Sequence, residues 1–383
     1  MKVYLDNNAT TRMAPEVLDA MIPFLNDQYG NPSSFHTFGS VLMEHIEIAR
    51  QQVADLIGAF PSEIIFTSGG TESDNTALFY GIGADSEKPG LVTSVVEHPA
   101  VLETAGYLEQ AGHPLGLVKA KSNGYVNMNS LEELMTPNTG LVSIMKANNE
   151  TGVIMPIREA AEIAHRAGAL FHTDAVQAVG KIPVDVKVEG IDLLSLSAHK
   201  FHGPKGVGAL YIRKGLKLNP FMHGGHQESG MRSGTYNIAG IVGLGKAAEM
   251  ARYFIAEEAL KTSYLLEKLE SGILKECTGA VIVGASAERL PNTTTVLFTG
   301  VESEAVLTLI DLAGICVSSG SACSTGSKDP SYVLTSMGIS ANDANTAIRF
   351  SLSMYTSDQE IDYVLEVLSP IIEKLRKISP YAQ

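Results

Sequence analysis

Short apolar runs alternate with amphipathic segments along the first two thirds of the chain. The runs are rich in Val, Ile and Leu, and Gly, Pro or polar turn residues lie near most of them, so they predict β-strands. The predicted strands cover residues 64–67, 91–96, 141–146, 169–173, 193–197 and 207–212.

Amphipathic helices are predicted between these strands. Apolar residues recur at steps of three and four over residues 42–57 and again over residues 157–167, which gives each segment one apolar face. A long helical stretch follows over residues 238–276. The last helical region contains Pro370, which is expected to kink or split it.

Strands that alternate with helices predict an α/β fold with a mostly parallel central sheet covered on both faces. The 383 residues suit two or three domains of about 150 residues each. We expect a large domain over residues 15–255. Residues 1–14 and 256–383 are expected to form a smaller α+β domain.

Composition narrows the class of protein. Hydrophobic residues make up 45% of the chain and charged residues 18%, which is typical of a globular protein with a large core. The formal net charge of −14 repels polyanions, and no Lys/Arg cluster marks a basic face, so no DNA binding is expected. No apolar run approaches the roughly 18–20 residues that span a bilayer, and the polar N-terminus does not resemble a signal peptide. Three cysteines favour a reducing compartment, so we expect a cytoplasmic protein that does not contact a membrane.

Residues 68–73 (SGGTES) follow a predicted strand and open a predicted helix. Their glycines let backbone N–H groups approach an anion, and a helix N-terminus favours negative charge. The motif therefore fits a phosphate cradle. A tight strand-to-helix turn without a ligand fits it equally well.

Asp174 and Lys200 each stand at the end of a predicted strand, where open α/β sheets bind ligands. Asp174 can hold a pyridinium nitrogen protonated, or it can cap a following helix. Lys200 can form a Schiff base if burial lowers its pKa, or it can be an ordinary loop lysine.

Residues 318–326 (SSGSACSTG) are small and polar, and they predict a mobile surface loop. Cys323 within it is either a thiol that serves more than one site or an incidental surface cysteine. Cys316 and Cys323 lack the spacing of zinc ligands, so no metal site is expected.

The sequence thus combines a candidate phosphate cradle, an acid, a lysine and a thiol. With this combination it resembles the cysteine desulfurases of the NifS/IscS type. These belong to the class-V aminotransferase family of fold-type-I enzymes that use pyridoxal 5′-phosphate (PLP). The resemblance runs nearly end to end. The motifs that carry it are YLDNNATT (4–11), GNPSS (30–34), GTESDN (70–75), EHP (97–99), NNETG (148–152), HTDAVQ (172–177), SAHK (197–200), MRSGT (231–235), SGSAC (319–323) and IRFS (348–351).

The resemblance implies PLP as the cofactor and a role for each matching residue. Lys200 matches the lysine that holds PLP in a Schiff base, Asp174 the partner of the ring nitrogen and Gln177 the contact to the ring hydroxyl. His98 matches an imidazole stacked on the ring, and Thr235 a residue that reaches the phosphate across a dimer interface. The other residues assigned to the cofactor are Gly70, Thr71, Asn149, Ser197 and His199, of which all but Asn149 match phosphate ligands.

The matching catalytic residues are Lys200, Cys323 and His98. Asn149 and Arg349 match groups that bind the substrate, and a bidentate guanidinium suits the substrate carboxylate. The implied reaction removes sulfur from L-cysteine, releases L-alanine and leaves a persulfide on Cys323. The resemblance also implies a homodimer and an iron–sulfur scaffold protein or another sulfur acceptor as partner.

Three features depart from the family pattern. The glycine run at residues 223–228 is one residue short, Met354 stands where many members have a basic residue, and the chain ends soon after Pro380. Other functions stay open as alternatives. They are a selenocysteine lyase or aminotransferase of the same fold, a non-catalytic regulator, and a serine hydrolase, for which no nucleophile-elbow motif is present.

Overall fold

The computed structural model describes residues 1–83, 87–216, 219–319 and 329–378. In chain order the strands are β1 (Val3–Tyr4), β2 (Ile64–Thr67), β3 (Gly90–Ser94), β4 (Leu115–Val118), β5 (Thr139–Ser143), β6 (Leu170–Asp174), β7 (Leu193–Ser197), β8 (Gly208–Ile212), β9 (Ala280–Ile282), β10 (Thr293–Phe298), β11 (Ile315–Cys316), β12 (Ser318–Ser319) and β13 (Ala347–Ser351). The helices are α1 (Pro15–Asn26), α2 (Thr37–Ser40), α3 (Leu42–Ile57), α4 (Gly70–Gly81), α5 (Pro99–Gln110), α6 (Met128–Leu134), α7 (Ile157–Arg166), α8 (Ile238–Glu276), α9 (Ser303–Leu312), α10 (Tyr332–Ser336), α11 (Ala341–Ala344) and α12 (Asp358–Ile378).

Seven strands form the central sheet in the order β2-β8-β7-β6-β5-β3-β4. Strands β7, β6, β5, β3 and β4 pair in parallel, whereas β8 runs antiparallel to both of its neighbours. The prediction of an α/β fold with a mostly parallel sheet is confirmed. The sequence did not predict β4, an edge strand in which Gly116 and the half-exposed Leu117 interrupt the apolar pattern.

A second, four-stranded sheet has the order β12-β13-β10-β9, and its paired strands are antiparallel. The start of the chain joins this region, because β1 pairs with β11 and Asp6 bridges to Ser351. Val3 and Leu5 are fully buried in a hydrophobic cluster with Phe350. The predicted domain boundaries at residues 14/15 and 255/256 stay a prediction.

Helix α8 contributes to two hydrophobic clusters, one against the central sheet and one around the second sheet. Its first turns pack in the cluster under the central sheet through Ile241 and Leu244, and its last turns pack in the second cluster through Leu269 and Ile273. Its bounds agree with the predicted helical stretch. None of the helices in the described part of the chain has the length and apolar character needed to cross a membrane.

Helix α12 continues through Pro370. The prediction that this proline would split the helix is wrong. Pro370 lies on the exposed face, while Leu368 and Ile372 are buried in the second cluster on the opposite side. Packing of the apolar face therefore holds the helix together although Pro370 has no N–H to donate.

A buried ion pair connects α3 to the segment before α8. Arg50 donates from Nη1 and Nη2 to the two carboxylate oxygens of Glu228, at 2.7 and 2.9 Å. Arg50 also donates to the Ile64 carbonyl at 2.7 Å, and Glu228 accepts from the Phe66 N–H at 3.0 Å. The pair therefore holds both α3 and the segment before α8 against the backbone of strand β2.

Replacing Glu228 by alanine is expected to lower the free energy of unfolding by about 3–5 kcal/mol, because the charge of Arg50 is then left buried without its partner. Urea denaturation measures the loss. Glu162→Ala is the control, since Glu162 pairs with Arg158 on an exposed helix face and such pairs contribute at most about 1 kcal/mol. Equal effects of the two substitutions would contradict the prediction.

Candidate active site

Polar side chains collect at one edge of the central sheet. Asp174 and Ser197 are the last residues of β6 and β7, Gly70 opens the helix after β2, and His98 caps the helix after β3. These strands run in the same direction, so their carboxyl ends meet at one edge. The structure thereby brings together residues that the sequence separates by more than a hundred positions.

The turn before α4 has the geometry of an anion cradle. Gly69 has φ +152°, which disfavours any other residue, and a Cβ on Gly70 would lie 2.7 Å from Cγ2 of Val176. The first turn of α4, including Thr71, presents backbone N–H groups at a helix N-terminus, and Ser197 lies beside Gly69 and Gly70. This arrangement favours a phosphate group.

Lys200 lies in the short turn Ala198–Lys200 that follows β7. Its Nζ donates to the carbonyl oxygens of Asn8 at 2.6 Å and Ala9 at 2.9 Å. The N-terminal segment therefore lies directly against the side chain that the sequence predicts to bind the cofactor.

Asp174 and His98 respond electrostatically to each other and to Lys200. Asp174 is buried, and its Oδ1 accepts from the Val176 N–H at 2.9 Å. Burial raises the pKa of Asp174, while the charges of His98 and Lys200 act in the opposite direction. Burial lowers the pKa of His98, which stays neutral with Nδ1 accepting from the Ala100 N–H at 3.1 Å. The three predicted residues thus lie within electrostatic range of one another.

His199 and Gln177 contact the same N-terminal segment. His199 Nδ1 lies 3.2 Å from the hydroxyl of Thr10, and burial together with the nearby lysines lowers its pKa to about 4. Gln177 Nε2 donates to the Asn8 carbonyl at 3.0 Å. His199 is therefore uncharged at neutral pH, and the amide of Gln177 carries no charge at any pH.

Arg349 and Asn149 form the other side of the site. Arg349 is 2% exposed, and it donates from Nη2 to Asp6 Oδ1 at 2.8 Å and from Nη1 to the Asn149 carbonyl at 3.1 Å. Arg349 Nε and Asn149 Oδ1 are buried and have no hydrogen-bond partner among the described residues. An unpaired buried polar atom costs about 1–3 kcal/mol, so these two atoms indicate the place of a polar ligand.

Cys323 lies in residues 320–328, outside the described residues. On the near side, Ser318 of β12 pairs directly opposite Arg349 of β13. On the far side, the Ser331 hydroxyl donates to Glu150 Oε2 at 2.5 Å. Glu150 directly follows Asn149. The described ends of the segment that carries Cys323 therefore both lie beside the Arg349 and Asn149 side of the site.

Thr235 is exposed in the single chain. Arg232, three residues earlier, donates from Nε to Glu72 in the first turn of α4 at 2.9 Å, so this motif is anchored next to the phosphate cradle. The role of Thr235 across a dimer interface stays a prediction.

An uncharged layer lies behind Asp174. His172 is fully buried between the hydroxyls of Ser143 and Ser195, at 2.8 and 3.0 Å, and burial lowers its pKa to about 3. Asp74 lies 3.8 Å away, and burial, together with the charge of Asp174, raises its pKa. His172 is therefore neutral at neutral pH, and the shift of Asp74 favours its uncharged form.

Sequence reasoning assigned no role to Asn8, which contacts most of the site. Its carbonyl accepts from Lys200 and Gln177, its Nδ2 donates to the Asn149 carbonyl at 3.1 Å, and its Oδ1 accepts from Lys181 at 3.0 Å. The signals in the sequence are the polar run of residues 6–8 and its place in the motif YLDNNATT (4–11).

The fully buried Glu97, next to His98, predicts a pH-dependent stability. Burial raises its pKa from 4.5 to about 8. Between these values the folded protein keeps a proton that the unfolded chain loses, so stability present at low pH falls as pH rises, by up to about 1.4 kcal/mol per pH unit. Glu97→Gln stays neutral and should have a flatter dependence of unfolding free energy on pH between 5 and 8. Glu103→Gln, at an exposed position on the following helix α5, should keep the wild-type slope. An unchanged slope in Glu97→Gln would refute the assignment.

Comparisons with known proteins agree with this geometry. The model of the aminotransferase class-V family matches residues 3–364. A protein named cysteine desulfurase from Cereibacter sphaeroides is 51% identical over 382 residues, which cover 99% of this chain and 98% of that protein.

Two solved structures are similar throughout. A NifS-like protein has a TM-score of 0.92 at 42% identity, covering 98% of this chain and all of that one. A structure titled SspA in complex with cysteine has a TM-score of 0.82 at 36% identity, covering 93% of this chain and all of that one. Because the family model and these full-length relatives agree, the chain belongs to the class-V aminotransferase family, in the group of NifS-like cysteine desulfurases, whose members in general depend on PLP.

Proposed function

We propose that the protein is a cysteine desulfurase that uses PLP to move the sulfur of L-cysteine to Cys323, giving L-alanine and a persulfide. The observation that carries the proposal is the meeting of Lys200, Asp174 and His98 at one sheet edge. Arg349 and the described ends of the Cys323 segment lie beside the same site. Relatives named cysteine desulfurase and the cysteine-bound neighbour support the choice of substrate.

The side chains present fit PLP. Gly70 opens helix α4, and the backbone N–H groups of this helix N-terminus, beside Ser197, suit the phosphate. The buried carboxylate of Asp174 suits a protonated ring nitrogen, and Lys200 supplies the amine for the aldehyde. In the proposed site Gln177 contacts the ring hydroxyl and His98 the ring face. The proposed phosphate ligands are Gly70, Thr71, Ser197, His199 and, across a dimer interface, Thr235.

When bound, PLP supplies an aldehyde for the substrate amine and an electron-withdrawing ring. Arg349 orients the substrate by binding its carboxylate, for which a guanidinium is the matching donor. Lys200, once its amine is released, is the proposed base for the proton on the substrate Cα, and neutral His98 is placed to assist proton transfer. Asp174 keeps the ring nitrogen protonated.

The sulfur step uses Cys323 as nucleophile. Its thiolate attacks the sulfur of L-cysteine, and the bond between that sulfur and Cβ breaks. The electron pair of the broken bond stays on the carbon skeleton, which takes up a proton and leaves as L-alanine. Cys323 keeps the sulfur as S–SH, so the step needs no external oxidant or reductant.

Chain length allows Cys323 to reach this site. A chain advances at most about 3.6 Å per residue, so four residues from Ser319 limit the separation of the two Cα atoms to about 14 Å. Ser319 itself pairs with Ile348, the neighbour of Arg349 in β13.

The test is conversion of L-cysteine by purified protein supplied with PLP. We expect stoichiometric L-alanine and, without a thiol reductant, the mass of one added sulfur atom on the peptide that carries Cys323. Alanine without that modification would overturn the persulfide step, and no alanine would overturn the desulfurase assignment. A parallel assay with L-selenocysteine measures the preference between the two substrates.

A homodimer is part of the proposal. Residues 18–41 expose several large apolar side chains, including Phe35, which is fully exposed, and Tyr29, which is 75% exposed. Exposed apolar patches mark interaction surfaces, and a second copy of the chain would also supply Thr235. We further propose a cytoplasmic location and an iron–sulfur scaffold protein or another sulfur acceptor as partner.

A further inference from the structure

Lys181 is a buried lysine that forms no ion pair with a carboxylate among the described residues. It is 7% exposed, and its Nζ donates to Gln177 Oε1 at 2.7 Å and to Asn8 Oδ1 at 3.0 Å, which are both neutral amide oxygens. The other buried lysine of the described chain, Lys146, pairs with Glu189 at 2.5 Å. An ammonium group is costly to bury without an opposite charge, so the position of Lys181 calls for a functional reason.

We propose that Lys181 is a positioning residue for the active-site lysine, because it orients the Gln177 amide and places a second positive charge beside Lys200. This inference rests on the proposed function, since it concerns the two residues that would bind the aldehyde and the ring hydroxyl of PLP.

The orientation of Gln177 follows from hydrogen-bond chemistry. Lys181 Nζ is a donor, so the atom of Gln177 that faces it must be the amide oxygen. Nε2 therefore points the other way, where it gives one proton to the Asn8 carbonyl at 3.0 Å. Its second proton is available to a ligand oxygen such as the ring hydroxyl. Lys181 and the Asn8 carbonyl together fix which end of the amide is the donor.

The charge effect follows from the shared contact with Asn8. Lys200 bonds the Asn8 carbonyl and Lys181 bonds the Asn8 side-chain oxygen, so both amines lie against one residue. A positive charge on Lys181 disfavours protonation of the nearby Lys200 amine. A neighbouring cation is a known means of activating a Schiff-base lysine. The effect is mutual, because burial and the charge of Lys200 lower the pKa of Lys181, so a proton on either amine disfavours a proton on the other.

Other charged groups face this pair of lysines from the surrounding elements. Glu258 on α8 favours the charged form of Lys181, whereas Arg349 on β13 disfavours it. Asp174 and His98 act on Lys200 from β6 and the start of α5. Because these groups stay in place when Lys181 alone is replaced, the change in proton affinity at Lys200 can be attributed to Lys181.

The test uses Lys181→Gln holoenzyme, which keeps an amide donor but loses the charge. The pH at which the visible absorbance of the lysine-bound cofactor changes is measured by titration. Loss of the neighbouring cation should move this transition upward by about one pH unit. Lys181→Arg keeps the positive charge, so its transition should lie close to the wild-type pH. Lys146→Met, which also removes a buried cation, should leave the transition at its wild-type pH.

Lys181→Met removes both the charge and the hydrogen bond to Gln177. It should show the same upward shift as Lys181→Gln, with a further loss of cofactor affinity measured by absorbance during dialysis. Wild-type transitions in both neutral variants would overturn the inference while leaving the proposed function intact. Absence of any visible band in wild-type protein supplied with PLP would instead overturn the proposed function.

Discussion

Lys200→Ala protein is expected to lack the visible absorbance of lysine-bound PLP and to form L-alanine about 10²–10⁴-fold more slowly than wild type. The amine that links the cofactor is gone, and the proposed base for the substrate Cα proton is gone with it; a positioned base alone contributes that range. The structure supports the choice of Lys200, because its Nζ lies against Asn8 and Ala9 at the sheet edge and within electrostatic range of Asp174.

The matched control for Lys200 is Lys205→Ala, an exposed lysine in the same loop. It should keep both the absorbance and the rate of alanine formation. Size-exclusion chromatography and circular dichroism establish that both variants fold. If Lys200→Ala kept the wild-type spectrum, another lysine would link the cofactor and the proposed site would be wrong.

Cys323→Ser protein is expected to keep the visible absorbance of the cofactor and to form L-alanine at less than about one hundredth of the wild-type rate. A hydroxyl at neutral pH is a far poorer nucleophile toward sulfur than a thiolate, whereas the groups that bind PLP are unchanged. Addition of L-cysteine should still alter the spectrum, because Arg349 and Lys200 remain available. Single-turnover alanine release measures the defect.

Cys316→Ser is the control for the second thiol. Cys316 lies in β11, which pairs with β1, is partly exposed and has no part in the proposed reaction. It should retain the rate and the added sulfur on the Cys323 peptide. If Cys323→Ser turned over L-cysteine normally and Cys316→Ser did not, the persulfide would have to be assigned to Cys316.

Several elements were predictable because their patterns are local. Strands β2 and β7 and helix α8 lie where the apolar runs and periodicity place them. Strand β4 was not predictable, since a glycine and a half-exposed leucine blur a four-residue pattern. Pro370 does not split α12, one of the two outcomes predicted for it, because packing on the buried face outweighs one missing hydrogen bond.

The candidate site shows the same division. Asp174 and Lys200 are visible in the sequence because a polar or charged residue at the end of an apolar strand is unusual. Asn8 contacts Lys200 and Gln177 through its backbone carbonyl, which every residue possesses, so its residue type does not reveal these contacts. The sequence likewise gives no sign that Lys181 is buried, which only the structure shows.

By itself, the sequence determined the α/β class, the chemical groups of the site and the family resemblance, because strand patterns and motifs are short-range properties of the chain. Only the tertiary structure decided how residues 6–10 lie against Lys200, which side of Gln177 faces a ligand, and which acids and histidines stay neutral. Those properties depend on burial and on contacts between residues nearly two hundred or more positions apart, such as Asn8 with Lys200 and Asp6 with Arg349. Distances and dielectric surroundings of this kind exist only once the chain has folded.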